Sequence, residues 1–295
     1  MTEPRSTATL ARILFSPDGA TTLGYEFVDA GSPQLLVTDV AATRGDGVFE
    51  TISVGSGLPQ ALNPHLDRFA KSAALLDLPH PDLGVWRAAV HEAAATMADH
   101  DEAQVKLVLS RGVEGQPAPT GWVYASVAPD YRATRTIGIG VVLLDRGLAH
   151  NVAQTSPWLL AGAKTLSYAV NLAALREARR RGADDVVFVS SDGFLLEGPV
   201  SNLIIRRGMT LSTPRTDLGI LTGTTQSDVF AWAESQGFAT EQALLTPSDL
   251  TGADAAWLVS SVRHAAPLHA IDGSDFALDG ELTAGINAAL RARTG

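Results

Sequence analysis

Three side chains in this sequence have surroundings that set them apart chemically. Lysine is scarce: Lys71, Lys106 and Lys164 are the only lysines among 22 basic residues, the rest being arginine. Lys71 falls on a helix with polar neighbours and Lys106 on the polar side of an alternating strand, so both read as solvated. Lys164 is embedded in Trp158-Leu159-Leu160-Ala161-Gly162-Ala163-Lys164-Thr165-Leu166. Removal from water disfavours an ammonium, lowers the lysine pKa and leaves an amine able to attack a carbonyl. A structural lysine that snorkels to the surface fits the same neighbours. Glu197 lies between Phe194-Leu195-Leu196 and Gly198-Pro199-Val200. If buried there it needs a cationic or hydrogen-bonded partner, for which a pyridinium nitrogen would serve, whereas the Gly-Pro after it equally suits an exposed turn. Gly223-Thr224-Thr225 enters a helix, where free N–H groups, two hydroxyls and the positive helix end suit a phosphate, although threonine is also an ordinary N-cap.

An aldehyde for the amine, a ring nitrogen for the carboxylate and a phosphate for the turn are the three parts of pyridoxal 5'-phosphate. Other chemistries have less support. No serine follows a glycine two positions earlier, so the G-x-S-x-G elbow is absent. Gly138-Ile139-Gly140 lacks the third glycine of a dinucleotide fingerprint, and Ala163-Lys164-Thr165 lacks the glycine of a phosphate-binding loop. Seven histidines form no H-E-x-x-H motif and no cluster, so no metal site is expected. With no cysteine there is no disulfide framework or thiolate nucleophile. A net charge of -10 argues against nucleic acid or an anionic membrane. The start shows no signal-peptide core, and no run reaches the roughly 18 apolar residues of a spanning helix, so the expectation is a cytoplasmic protein with a small-molecule partner.

The elements that must position these groups read as strands and helices without strict alternation, an α+β class. Strands are expected at Gln34 to Thr38, Val48 to Val54, Val105 to Ser110, Trp122 to Ala128, Ile137 to Leu144, Asp185 to Ser190 and Leu203 to Arg206. A helix begins with Asn63 as N-cap and Pro64 at its first position, its apolar stripe running Leu66, Phe69, Ala70, Ala73 and Leu76, with Arg68 off that stripe. A second helix runs from about Val85 to His100. A third runs from about Ser167 to Arg181, with Leu172 and Leu175 inward and Gly182 as its stop. The polar, Pro-containing stretch 128–132 divides a smaller N-terminal lobe (1–130) from a larger lobe (131–295) that carries Lys164.

Five separated stretches, in order, resemble the fold-type IV pyridoxal-phosphate enzymes, the family of branched-chain and D-amino-acid aminotransferases and 4-amino-4-deoxychorismate lyase. They are Arg44-Gly45-Asp46-Gly47-Val48-Phe49-Glu50-Thr51; His65-Leu66-Asp67-Arg68; Lys164-Thr165-Leu166-Ser167-Tyr168 with Asn171; Asp192-Gly193 through Glu197-Gly198 to Ser201-Asn202; and Gly219 to Thr225. The resemblance implies two α/β lobes with the cofactor site between them, usually in a homodimer. It implies that Lys164 forms the Schiff base and shuttles the proton, that Glu197 holds the pyridine nitrogen protonated, and that Arg68 clamps the phosphate with Thr224, Thr225 and Ser261. Tyr168 would partner the cofactor's phenolic oxygen, and Phe49 and Arg111 would contact substrate. The motifs look most like aminodeoxychorismate lyases, which release 4-aminobenzoate and pyruvate on the way to folate. Arg111-Gly112 is not followed by the Arg-x-His carboxylate trap of the D-amino-acid aminotransferases, and it also lacks the Gly-Arg-Gly-Tyr run of many lyases. An aminotransferase acting on D- or branched-chain amino acids is the alternative within the family. A non-catalytic module binding a small anion at Gly223 to Thr225 is the alternative outside it.

Overall fold

Val48, Ile52 and Val54 are buried on one side of a strand, and Glu50 is buried in the same row. That row decides how the first sheet meets its helices. The computed structural model describes residues 8–293, which fall into two units, one of residues 8–129, 163–168 and 293, the other of residues 130–162 and 169–292. In the first unit β1 (Ala8–Phe15), β2 (Thr22–Val28), β3 (Gly47–Gly55), β4 (Leu58–Pro59), β5 (Ala103–Ser110) and β6 (Thr120–Val127) form an antiparallel sheet in the order β2-β1-β6-β5-β3-β4. The register sets Val48 opposite Leu109, Glu50 opposite Leu107 and Ile52 opposite Val105. After the short α1 (Val40–Thr43), α2 (Leu62–Leu75) packs on β3, and α3 (Leu83–Ala95) on β5 and β6. Phe69 and Trp86, one from each helix, are fully buried with ring centroids 4.9 Å apart. Each contributes about 1.5–3 kcal/mol by leaving water.

Three local expectations are corrected here. Gln34 to Thr38 is an exposed loop rather than a strand: Leu36 and Val37 are 64% and 86% exposed, because the run has no partner strand to pair with. The N-cap of α2 is Ala61, at φ +53, rather than Asn63. Asn63 instead accepts a hydrogen bond from Arg87, and Pro64 still falls in the first turn, where its missing N–H is no loss. α3 starts earlier than Val85, because the Asp82 carboxylate accepts from the N–H groups of Gly84 and Val85.

The second unit contains α4 (Arg132–Thr136), β7 (Ile139–Asp145), α5 (Val152–Thr155), α6 (Ala169–Arg180), β8 (Asp185–Val189), β9 (Asn202–Arg207), β10 (Thr210–Pro214), α7 (Thr224–Ser235), β11 (Ala239–Ala243), α8 (Pro247–Thr251), β12 (Ala255–Ser260), β13 (His264–Ile271), β14 (Ser274–Asp275) and α9 (Gly280–Arg291). Its mixed sheet runs β11-β10-β9-β12-β13-β7-β8, with β14 beside β13; β10 and β11 are parallel, as are β13, β7 and β8. One core fills the face under Val187, Leu203, Ile205 and Leu258, and another the face where α7 and α9 cover Ile204, Trp257 and Val259. α6 departs from its expected orientation: Ala174 and Ala178 form its buried stripe, Leu175 is half-buried and Leu172 is 49% exposed. Two alanines one turn apart let the helix lie close on Val186 and Phe188. The class is α+β. Among the described residues, no helix is long and apolar enough to cross a membrane, and no group of three or more His, Asp or Glu side chains is placed to hold a metal.

Candidate functional site

In the first unit the Lys164 segment lies along the start of β3. Phe49 N–H donates to the Lys164 carbonyl at 3.0 Å, Leu166 N–H to the Gly47 carbonyl at 2.8 Å, and Val48 bridges Thr165. Both glycines of Arg44-Gly45-Asp46-Gly47 have a mechanical reason. A Cβ on Gly47 would lie 2.7 Å from the Leu109 carbonyl oxygen and 2.8 Å from a Leu166 methyl, while Gly45, at φ +67, turns beneath Ser167, whose hydroxyl donates to its carbonyl. The segment is therefore pinned by backbone. The Lys164 amine is held 4.5 Å from the centroid of the Phe49 ring, and the Tyr168 ring meets Phe49 edge-on at 5.2 Å. All three side chains are half-buried. A cation over an aromatic face is held electrostatically, and that fixes where the amine can act. Of the first-unit residues expected in the site, Lys164, Phe49 and Tyr168 thus come together. Lys164 belongs to the first unit, not to the C-terminal lobe in which its sequence position suggested it would lie.

Arg68 is engaged with a partner that its motif alone did not reveal. Its Nε and Nη2 donate to the two carboxylate oxygens of Glu50, each at 2.7 Å, and His65 Nδ1 lies 2.8 Å from Glu50 Oε2. Because a carboxylate only accepts, Nδ1 carries the hydrogen. Burial by itself would raise the Glu50 pKa, but the Arg68 guanidinium and then His65 outweigh it and hold the carboxyl well below the usual range. Burial keeps the His65 pKa below its ordinary value, against the pull of Glu50. One turn beyond Arg68 on the same helix, the Ser72 hydroxyl accepts from Lys164 N–H at 3.1 Å, so α2 positions both the arginine and the Lys164 segment. Arg111 departs from the expectation that it receives a substrate carboxylate. It spans both oxygens of Asp46 and donates to the carbonyls of Leu76 and Asp77, which commits four of its five N–H groups to local structure.

In the second unit three distant stretches meet at one end of the sheet. Asn202 opens β9 and pairs with Val259, two residues before Ser261. Its amide nitrogen donates to Glu197 Oε2 at 3.2 Å and to the Leu221 carbonyl at 2.8 Å, and Leu221 N–H donates to Glu197 Oε1 at 3.1 Å. Glu197 is half-buried and oriented from two sides. Gly223 caps α7 at a point where a Cβ would fall 2.0 Å from Asn202 Oδ1, so only glycine lets the helix start this close. As the cap it offers no side-chain oxygen to the first turn. Thr224 and Thr225 follow, 8% and 2% exposed. The second unit thus has an oriented carboxylate beside a helix N-terminus that carries two hydroxyls.

Glu50, His65, Ser72 and Asn202 received no role from sequence reasoning. A signal for Glu50 was present: it is the one ionisable residue in an inward row of apolar β3 positions, and such a group needs a partner. Asn202 and Ser72 gave none, because a single amide or hydroxyl declares no partner in sequence.

A model of the amino-transferase class IV family matches residues 47–271. The chain is 44% identical over 262 residues to the bifunctional aminodeoxychorismate lyase / D-amino acid transaminase of Mycobacterium tuberculosis, an alignment spanning 85% of this chain and 91% of that protein. Among solved structures, the fold IV-transaminase CpuTA1 from Curtobacterium pusillum superposes with a TM-score of 0.93 at 53% identity, covering 97% of this chain and 100% of that one. A hypothetical aminotransferase from Mycobacterium tuberculosis in PLP-bound form superposes with a TM-score of 0.87 at 42% identity, covering 96% and 98%.

Proposed function

The chain belongs to the amino-transferase class IV family, and from that premise we propose that it is a pyridoxal-phosphate lyase converting 4-amino-4-deoxychorismate to 4-aminobenzoate and pyruvate, a step toward folate. The observation that carries a pyridoxal-phosphate reading is the Lys164 amine seated over Phe49 beside Tyr168. The residues present fit the cofactor: an amine on a segment pinned by backbone, a carboxylate oriented by Asn202 and Leu221, and a helix start that only glycine admits. Pyridoxal phosphate, when bound, supplies an aldehyde and a ring that takes up electrons.

Lys164 is the residue that would hold the cofactor at its aldehyde carbon and would move the proton once its amine is free. Its Nζ takes the proton from the amine-bearing ring carbon and returns one to the methylene of the departing enolpyruvyl group. The substrate's atoms are thereby divided between 4-aminobenzoate and pyruvate with nothing added. Glu197 would keep the ring nitrogen protonated, and Tyr168 would partner the phenolic oxygen. Arg68 suits one edge of the phosphate, with Thr224, Thr225 and Ser261 as further contacts. Phe49 orients the amine and contacts substrate. The chain acts in the cytoplasm as a homodimer in this reading.

The choice of lyase is supported by the relative that is 44% identical and named for both activities, and by the turn after Arg111-Gly112, which reads Val113-Glu114-Gly115 and lacks the Arg-x-His run of the D-amino-acid aminotransferases. An aminotransferase acting on D- or branched-chain amino acids is the second reading, favoured by the transaminase that is 53% identical. Incubation of the cofactor-loaded chain with aminodeoxychorismate should yield 4-aminobenzoate, followed by its fluorescence. Keto acid from D-alanine or a branched-chain amino acid, with no 4-aminobenzoate, would move the assignment to the aminotransferase.

A further inference from the structure

Ser261-Val262-Arg263 is a three-residue turn joining Ser260 of β12 to His264 of β13, which pair across it. Turns of this kind usually place glycine or asparagine in the left-handed position; here His264 is in it, at φ +64. A buried arginine, Arg135, and the half-buried Arg263 of the turn itself hold it. Arg135, 4% exposed, donates from Nε to the Arg263 carbonyl at 2.9 Å and from Nη2 to the Val262 carbonyl at 3.2 Å. Arg263 in turn donates from Nη1 to Asp185 Oδ2 at 2.7 Å, and Asp185 is itself buried at the start of β8, with Oδ1 accepting from Val186 N–H. The peptides of this turn are trans, so carbonyls turned toward Arg135 send the N–H groups of Arg263 and His264 to the opposite side of the turn.

The ion pair is a poor stability device. Nε and Nη2 of Arg263 are buried without a hydrogen-bond acceptor, and a buried pair left so incompletely matched is often no better than apolar residues of the same volume. We propose that Asp185, Arg263 and Arg135 form a clamp that fixes the Ser261–Arg263 turn in the shape that receives the cofactor's phosphate, which makes Asp185 and Arg263 positioning residues for cofactor affinity. This rests on the reading that Ser261 contacts pyridoxal phosphate. The clamp works from beneath the turn and touches none of the reacting atoms.

The test uses the full chain freed of cofactor and titrated with pyridoxal phosphate, followed by absorbance and by the ³¹P resonance of the bound phosphate. Asp185→Asn, Arg263→Met and the double variant should each bind about tenfold more weakly, with a displaced or broadened ³¹P line. The cofactor-free double variant should melt close to the wild type, because removing both charges removes their desolvation penalty along with their attraction. Arg263→Lys, which keeps a cation for Asp185, should recover affinity to within about threefold of the wild type. A double variant that binds within about twofold of the wild type with an unchanged ³¹P line overturns the clamp, as does a loss of affinity matched by an equal loss of stability in the cofactor-free chain. A wild-type chain that takes up no pyridoxal phosphate overturns the reading of Ser261, and the clamp with it.

Discussion

Replacing Glu50 by alanine removes the carboxylate at the centre of a buried charged group and leaves Arg68, 13% exposed, and the fully buried His65 facing an apolar row. Removing one partner of a buried pair typically costs about 3–5 kcal/mol, because the other charge loses both water and its counter-ion. At about 2–4 °C per kcal/mol for a chain of this size, the melting temperature should fall by about 6–20 °C. Glu50→Gln keeps an acceptor and the volume, and should cost less, about 1–3 kcal/mol. Calorimetry or circular dichroism at neutral pH measures both. The pH dependence gives an independent reading. Glu50 is held below its ordinary value of 4.5, so its contribution is fully present above that value and is lost as pH falls through the folded value. His65 is also held low, burial being the main cause, so uptake of protons by the unfolded chain below 6.5 opposes folding. Both effects have the same sign: the wild type should melt at progressively lower temperature as the medium is acidified, and Glu50→Gln should flatten the most acidic part of that slope. A Glu50→Ala variant melting within about 2 °C of the wild type at neutral pH would refute the reasoning, since it would mean that the pair makes no net contribution.

Lys164→Ala should lower turnover by at least about a thousandfold and abolish borohydride-fixed labelling by pyridoxal phosphate, while the melting temperature stays near that of the wild type, because the segment is held by its backbone. Gly223→Ala places a methyl on the Asn202 amide and should weaken cofactor binding by about tenfold or more, read by titration, because Asn202 must swing away from Glu197. Arg111→Ala should destabilise by about 1 kcal/mol, seen by denaturant titration, and leave KM within about threefold, since its N–H groups serve Asp46 and two carbonyls. A large rise in KM with unchanged stability would return Arg111 to the substrate.

The candidate groups were legible because each announces itself locally. An isolated lysine in an apolar run, a carboxylate between apolar stretches and a glycine before two threonines are anomalies visible to a reader of neighbours. The strands β3, β5 and β6 were legible for the same reason, since alternation is a property of adjacent residues. What failed was whatever needed a distant partner. Gln34 to Thr38 has strand-like residues but no strand to pair with, and α6 has two leucines that its packing leaves at the edge or outside.

By itself the sequence determined the mixed class and singled out Lys164, Glu197 and Gly223-Thr224-Thr225 as candidate groups. Tertiary structure alone decided the partners. It gave Arg68 to Glu50 and Arg111 to Asp46, drew Lys164 onto β3, and brought Asn202 between Glu197 and the start of α7. Propensity and periodicity are summed over neighbouring residues, whereas hydrogen bonds and ion pairs depend on distances that exist only after a chain of many residues has closed on itself.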